Sequence, residues 1–434
     1  MVGSCTARVR LPAAPRLTVF VIWSLISMGS WGQCSFTKAK VSPELPSGVP
    51  DSVPREAEMC SFVGLAGVCS IPALRLCPFF LEGQDVTNPT QSSGQAKAPV
   101  VRTADKAGGK PVIVGQGDLR FEWIDNWAKL PAGMSFGDTH SVQEAADGRI
   151  FIHHNGHDST AVFDPKDGRF IEAWGGDTFR GTAHGMDLRS ENGHEFLYLA
   201  PTGKNKTFKT TLQGDMVMEL GYPAQARNSA GQPCYPDAKP YSPTYTAFGS
   251  GGDFYITDGY GLGYICRYDI HGKLLATFGG NGDGPDQESC PHGIFCDTRT
   301  PDHPMIVVAD RAHHRLQYFT LDGKLDHLVT NARPQQDNDG TGKFRLPCQF
   351  SPYRDLLAVP DLLGRVTILD KNNNVAVHLG DNPNVKQRAN HGVPQSELVP
   401  GHFCCPHGST WDRHGNLYIV EWLPYGRVTK LRRV

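Results

Sequence analysis

The chain has 434 residues, 39% of them hydrophobic and 20% charged, with a formal net charge of -2 and a pI near 6.8. That length buries at least one large core, and the composition is that of a globular chain, not a disordered one. The charge balance gives no electrostatic reason to expect nucleic acid or an acidic membrane surface as partner. Forty-eight glycines and 32 prolines without a collagen-like period suit many short strands and turns.

In chain order, residues 1–32 read as an export signal or an N-terminal anchor. Arg8, Arg10 and Arg16 precede the apolar run LTVFVIWSLISM, and Ser30 and Gly32 are small residues suited to cleavage after Gly32. This places the protein in a secreted or periplasmic compartment, with membrane anchoring as the alternative. Residues 33–110 read as a low-order linker. It contains a second apolar run at 59–81, whose Arg75 and two prolines make it a poor membrane helix.

Twelve cysteines agree with an oxidising compartment. Seven of them (Cys234, Cys266, Cys290, Cys296, Cys348, Cys404, Cys405) lie beyond the linker, so internal disulfides would leave at least one thiol unpaired. Asn205-Lys206-Thr207 fits a glycosylation acceptor.

From residue 111 to 434 the chain is repetitive. The phrase CPHGIFCD at Cys290 returns as CPHGSTWD at Cys405, and each opens a unit of apolar–polar alternation with Asp-Gly, His-Gly or Asn turns. Equivalent units begin at His140, His184, Thr244, His292, Cys348 and His407. Six such units predict an all-β fold, a six-bladed β-propeller. The last unit is one strand short, and LRFEWIDNW, ahead of the first, resembles the outermost strands FIEAWG and LLATFG. It is expected to close the ring and so pair an otherwise open edge.

The unit-opening position starts the innermost strand, where blades converge on the central channel. His184, His292 and His407 come from alternate blades and approach the axis about a third of a turn apart. Three neutral imidazoles with a position left open form a catalytic zinc arrangement.

At these residues the chain resembles a known family. AHGMDL, CPHGIFCD and CPHGSTWD look like the metal-binding phrases of the peptidyl-α-hydroxyglycine α-amidating lyases, on an NHL-like propeller. YITDGYGLGYICRYDIHGK resembles the family's strand with a catalytic tyrosine, which places that role on Tyr260. VVADRAHHRLQYF resembles its strand with an active-site arginine, which places that role on Arg311. The resemblance implies cleavage of a carbinolamide into a peptide amide and glyoxylate, with zinc polarising the substrate hydroxyl and Tyr260 as base. A phenol, ordinarily at about 10, needs a nearby cation for that role. The implied partner is a peptide or small molecule with an α-hydroxyglycine-like group, bound by a monomer.

Three departures are expected to matter. The family's second arginine has no counterpart in MSFGDTHSV, where His140 is the nearest polar candidate and is expected to supply the missing catalytic contact, to the standard substrate or to an altered carbinol-type one. Gly408 stands where an acidic residue helps hold calcium, and Cys405 precedes the last histidine where the family has an apolar residue. The chain carries no copper monooxygenase half, so its substrate is expected to come from elsewhere. A non-enzymatic propeller that binds a protein or glycan, with metal as a structural pin, is the alternative reading.

Overall fold

The computed structural model describes residues 4–9, 17–22, 110–236, 240–332 and 342–434. The chain divides into two compact units, Met1–Leu74 and Arg75–Val434. In the first, Ser4–Val9 pairs antiparallel with Leu17–Ile22. Cleavage after Gly32, the linker before residue 110 and the apolar run at 59–81 lie outside the described residues. Among the described residues no helix is long and apolar enough to cross a membrane.

The second unit is a ring of six antiparallel sheets, each following its neighbour in chain order. The innermost strands are Thr139–Glu144, Gly185–Glu191, Thr246–Phe248, Pro291–Asp297, Ser351–Tyr353 and Pro406–Trp411, and we number the blades 1 to 6 in that order. The six-bladed NHL-like propeller expected from the repeats is the fold observed.

Turn chemistry sets the spacing. In blade 3 the Asp269 carboxylate accepts the backbone N–H of His271 and Lys273, both at 2.9 Å, and Gly272 takes φ 83°. Asp370 caps the equivalent turn of blade 5 the same way, with Asn373 at φ 60° in the glycine's place. Both are Asx-type turns that reverse the chain over a few residues and leave the flanking strands in register.

The core lies between the blades, not within them. Each blade–blade interface has its own apolar cluster, such as Phe151, Val162, Met186 and Leu197 between blades 1 and 2. A wedge buried on both faces explains why its middle strands read as nearly continuous apolar runs.

The ring closes through the N-terminal segment. Leu119–Ile124 pairs antiparallel with Arg427–Arg433, setting Trp123 opposite Leu431 and Phe121 opposite Arg433. Phe121 and Trp123 are buried, and Trp123 packs on Phe403 with ring centroids 4.5 Å apart. One difference from the sequence reading is a further strand, Ile113–Gln116, which makes this a five-stranded sheet. VIVGQGDLRF turns back on itself at positive-φ Gly117, so a second edge strand folds onto the first.

The cysteines also differ from the disulfide expectation. The seven cysteines of the propeller are all buried, and Cys234, Cys266, Cys296, Cys348, Cys404 and Cys405 are free thiols. Cys348, Cys404 and Cys405 share one apolar cluster with Leu346, Leu362 and Leu423, where they pack as small hydrophobes.

Candidate metal centre

The histidine phrases place their imidazoles on the axis through local irregularities. Register breaks fall between Thr139 and Ser141, between Pro291 and Ile294, and between Pro406 and Gly408, so a bulge sits at His140, His292 and His407. Such bulges re-aim a side chain that plain alternation would direct into a blade interface.

His184, His292 and His407 share one hydrogen-bonding pattern. Each donates from Nδ1 to a main-chain carbonyl at the start of the next blade: His184 to Thr244 at 3.1 Å, His292 to Cys348 at 2.7 Å, and His407 to His140 at 2.9 Å. A carbonyl only accepts, so each Nδ1 carries the proton and each Nε2 presents a lone pair. Nδ1–H bonded to a carbonyl is the usual outer support of a metal-ligating histidine.

The glycine of each His-Gly phrase makes that bond sterically open. A Cβ would lie 2.0 Å from the Thr244 carbonyl oxygen at Gly185, 2.5 Å from that of Cys348 at Gly293, and 2.4 Å from that of His140 at Gly408. Gly408, where the family resemblance would place an acidic side chain, is therefore closed to any side chain at all.

The rings are mutually close, with centroids 4.7 Å apart for His184–His292, 4.8 Å for His292–His407 and 4.9 Å for His184–His407. Burial holds His407 down to about 3, with the Arg311 charge adding to it. Burial likewise lowers His184, with His407 as the next cause, and His292, with Arg311 as the next cause. Neutral imidazoles are the form that binds a metal.

The proton count at their tips is short. The Tyr260 hydroxyl lies 3.0 Å from His184 Nε2 and 3.0 Å from His292 Nε2. It has one proton for two lone pairs, so one acceptor is left without a donor. A cation bound by the imidazoles removes that deficit. The residues present thus fit a metal ion.

His140 belongs to the cluster by distance and stands apart by bonding. Potential ligand atoms of His140, His184 and His407 lie within 4.8 Å of one another. However, His140 Nε2 faces Asn155 Nδ2 at 3.2 Å, and its buried Nδ1 has no hydrogen-bond partner. The Nδ1–carbonyl pattern is shared by His184, His292 and His407 and not by His140. Burial and the neighbouring His407 and His184 hold His140 neutral. It offers a hydrogen bond and not the fixed charge of an arginine.

Arg311 is buried, its guanidinium 5.4 Å from the centre of the Tyr260 ring and its Nη2 3.1 Å from Cys290 Sγ. The structure therefore brings the three histidines, Tyr260, Arg311 and His140 to one end of the axis. Cys405 is buried in its apolar cluster and lies outside the histidine grouping.

Two features were not anticipated. Tyr245, fully buried, plugs the channel behind the imidazoles: its hydroxyl is 3.2 Å from the His140 carbonyl and 3.1 Å from Ser141 Oγ, and its ring is 5.4 Å from that of His184. Where the second arginine was sought, Asp138 Oδ1 instead pairs with His391 Nε2 at 2.6 Å. Tyr245 follows Thr244 where glycine follows each tripod histidine, and that was the available signal.

Fold and axis together define an NHL-like six-bladed propeller with a buried histidine centre. No family model matches the chain. It is 28% identical over 163 residues to peptidyl-alpha-hydroxyglycine alpha-amidating lyase 1 of Drosophila melanogaster, covering 36% of this chain and 28% of that protein. It is also 26% identical over 216 residues to NHL repeat-containing protein 3 of Mus musculus, covering 47% of this chain and 56% of that one. The chain spans little more than half of one of these relatives and under a third of the other. Among solved structures, a streptogramin B lyase superposes with a TM-score of 0.47 at 15% identity, over 73% of this chain and 99% of its own. A gluconolactonase of Xanthomonas campestris gives 0.47 at 13%, over 75% and 96%.

Proposed function

We propose that this chain is an exported, zinc-dependent lyase that cleaves the C–N bond of a carbinolamide, with His184, His292 and His407 as ligands. The observation that carries the reading is the shared Nδ1–carbonyl pattern of three clustered imidazoles, which leaves each Nε2 with a lone pair and sets those of His184 and His292 3.0 Å from the Tyr260 hydroxyl. Zinc, when bound, supplies Lewis acidity toward a substrate hydroxyl.

The protein's own groups do the rest. Tyr260, as the phenolate, takes the hydroxyl proton as the carbon–oxygen double bond forms and is the source of the proton that the leaving nitrogen receives. The C–N electron pair leaves with the amide nitrogen, which is protonated in turn, so an α-hydroxyglycine peptide yields a primary amide and glyoxylate. Arg311, fixed beneath the Tyr260 ring, supplies the fixed positive charge. Tyr245 closes the axis behind the histidines and keeps water from entering from that side.

The test is elemental analysis of the purified chain together with glyoxylate release from an α-hydroxyglycine peptide. Stoichiometric zinc with zinc-dependent release is expected. Stoichiometric zinc with no release above the zinc-free control turns the reading toward a non-enzymatic binding propeller with a structural metal.

A further inference from the structure

We propose that the axis carries a second ligand site, beyond Tyr245, which binds a small organic ammonium ion through Asp187. This does not rest on the lyase reading, since it uses neither the histidines nor their metal.

The inner strands continue past the Tyr245 plug. Three residues beyond the histidine level, about 10 Å along a strand, they line a pocket of about 280 Å³ that opens to solvent, with residues of all six inner strands or their immediate flanks in its wall. Its wall is cross-linked between blades: Gln143 donates to the Met186 carbonyl at 3.0 Å, and Gln349 accepts the Ser409 N–H at 3.0 Å. The cavity is a built feature of the ring.

One polar group in this wall lacks the partner that burial normally demands, and a half-buried carboxylate beside it keeps one oxygen without a hydrogen bond. Ser409 is 1% exposed and its Oγ has no hydrogen-bond partner. Asp187 accepts the backbone N–H and the hydroxyl of Thr246, each at 2.9 Å, but both bonds fall on Oδ2, which leaves Oδ1 for a ligand. Desolvation in the wall lifts its carboxyl to about 7 in spite of those bonds. The buried Ser409 hydroxyl without a partner is costly, and a bound polar group removes that cost.

The wall selects the ligand class. Asp187 is the one charged side chain among the described residues that line the cavity, so the ligand is cationic. A lone carboxylate is too poor in oxygen for calcium, which takes six to eight oxygens. The space exceeds that of a bare ion, since a water occupies roughly 30 Å³. Phe295 and Phe350 supply aromatic surface for the alkyl part of an organic cation.

Calorimetric titration of the full chain with methylamine, ethanolamine, putrescine and tetramethylammonium tests this, with ethylene glycol and calcium chloride as controls. We expect saturable binding of at least one primary amine, none of ethylene glycol, and the same affinity after zinc removal. Asp187→Asn, which keeps an acceptor for Thr246, should weaken amine binding by about tenfold or more. Ser409→Ala, a smaller change that leaves the charge, should weaken it several-fold and serves if Asp187→Asn does not fold. Absence of saturable amine binding by the wild type overturns the proposal. So does undiminished binding in both variants, or calcium binding that displaces the amine.

Discussion

His407, in the last blade, donates its Nδ1 proton to the main-chain carbonyl of His140, in the first, across 2.9 Å. The contact is at once a ring-closing bond and the support of a candidate metal ligand. It ties the geometry of the histidine centre to closure of the propeller.

The glycine that permits this contact is the sharpest point of test. Gly408→Ala places a Cβ 2.4 Å from the His140 oxygen, so the two strands must part. We expect a loss of about 2 kcal/mol or more in stability and a fall in bound zinc, measured by urea denaturation and elemental analysis. Full zinc content in a stable variant would detach the glycine from the metal centre.

The identity of the ligands is decided by four substitutions. His184→Ala, His292→Ala and His407→Ala should each lose most of the bound zinc, because a three-ligand site has no member to spare. His140→Ala should keep it. Retention in His292→Ala with loss in His140→Ala would instead select the grouping of His140, His184 and His407.

Catalysis is expected to depend on Tyr260 and Arg311 together. Tyr260→Phe and Arg311→Ala should each lower kcat by about a hundredfold with zinc retained. The double variant should be little worse than either single one, since both act on one proton transfer. His140→Arg should raise glyoxylate release by restoring a fixed charge near the site. Additive losses would show that the two residues act at separate steps.

Closure of the ring has its own measurement. Removing residues 111–130 takes away Phe121 and Trp123 and reopens the edge of Arg427–Arg433. That variant should aggregate, and Trp123→Ala should cost about 3 kcal/mol. A monomeric, cooperatively unfolding deletion variant would contradict the closure.

Acid sensitivity follows from His153 and His154, buried side by side in blade 1. Burial lowers His153 to about 3, with the neighbouring His154 adding to it, and burial lowers His154 to about 4. Both are below the ordinary 6.5, so the unfolded chain takes up the protons first. Stability should be full above pH 6.5 and fall as the pH drops toward 4 and below. Denaturation midpoints for His153→Gln should fall less steeply over that window than those of the wild type; an unchanged slope would exclude this residue as a cause.

The sequence alone determined the blades, because period-two alternation, Asp-Gly turns and the recurring His-Gly phrase are local signals that survive in any register. It also determined that His184, His292 and His407 open alternate units, and hence converge. The site's finer features depend on contacts between blades, which no local pattern encodes. The bulge at His407 and the carbonyl of His140 are 267 residues apart in sequence at the bond they form. Tyr245 reads as an ordinary core aromatic in TYTAFGS, and only the closed ring sets its hydroxyl beneath the imidazoles. Asp187 likewise reads as a polar residue on an alternating strand. Six strands must meet on one axis before its carboxylate lines a pocket, because the pocket belongs to the assembled ring and not to any one blade.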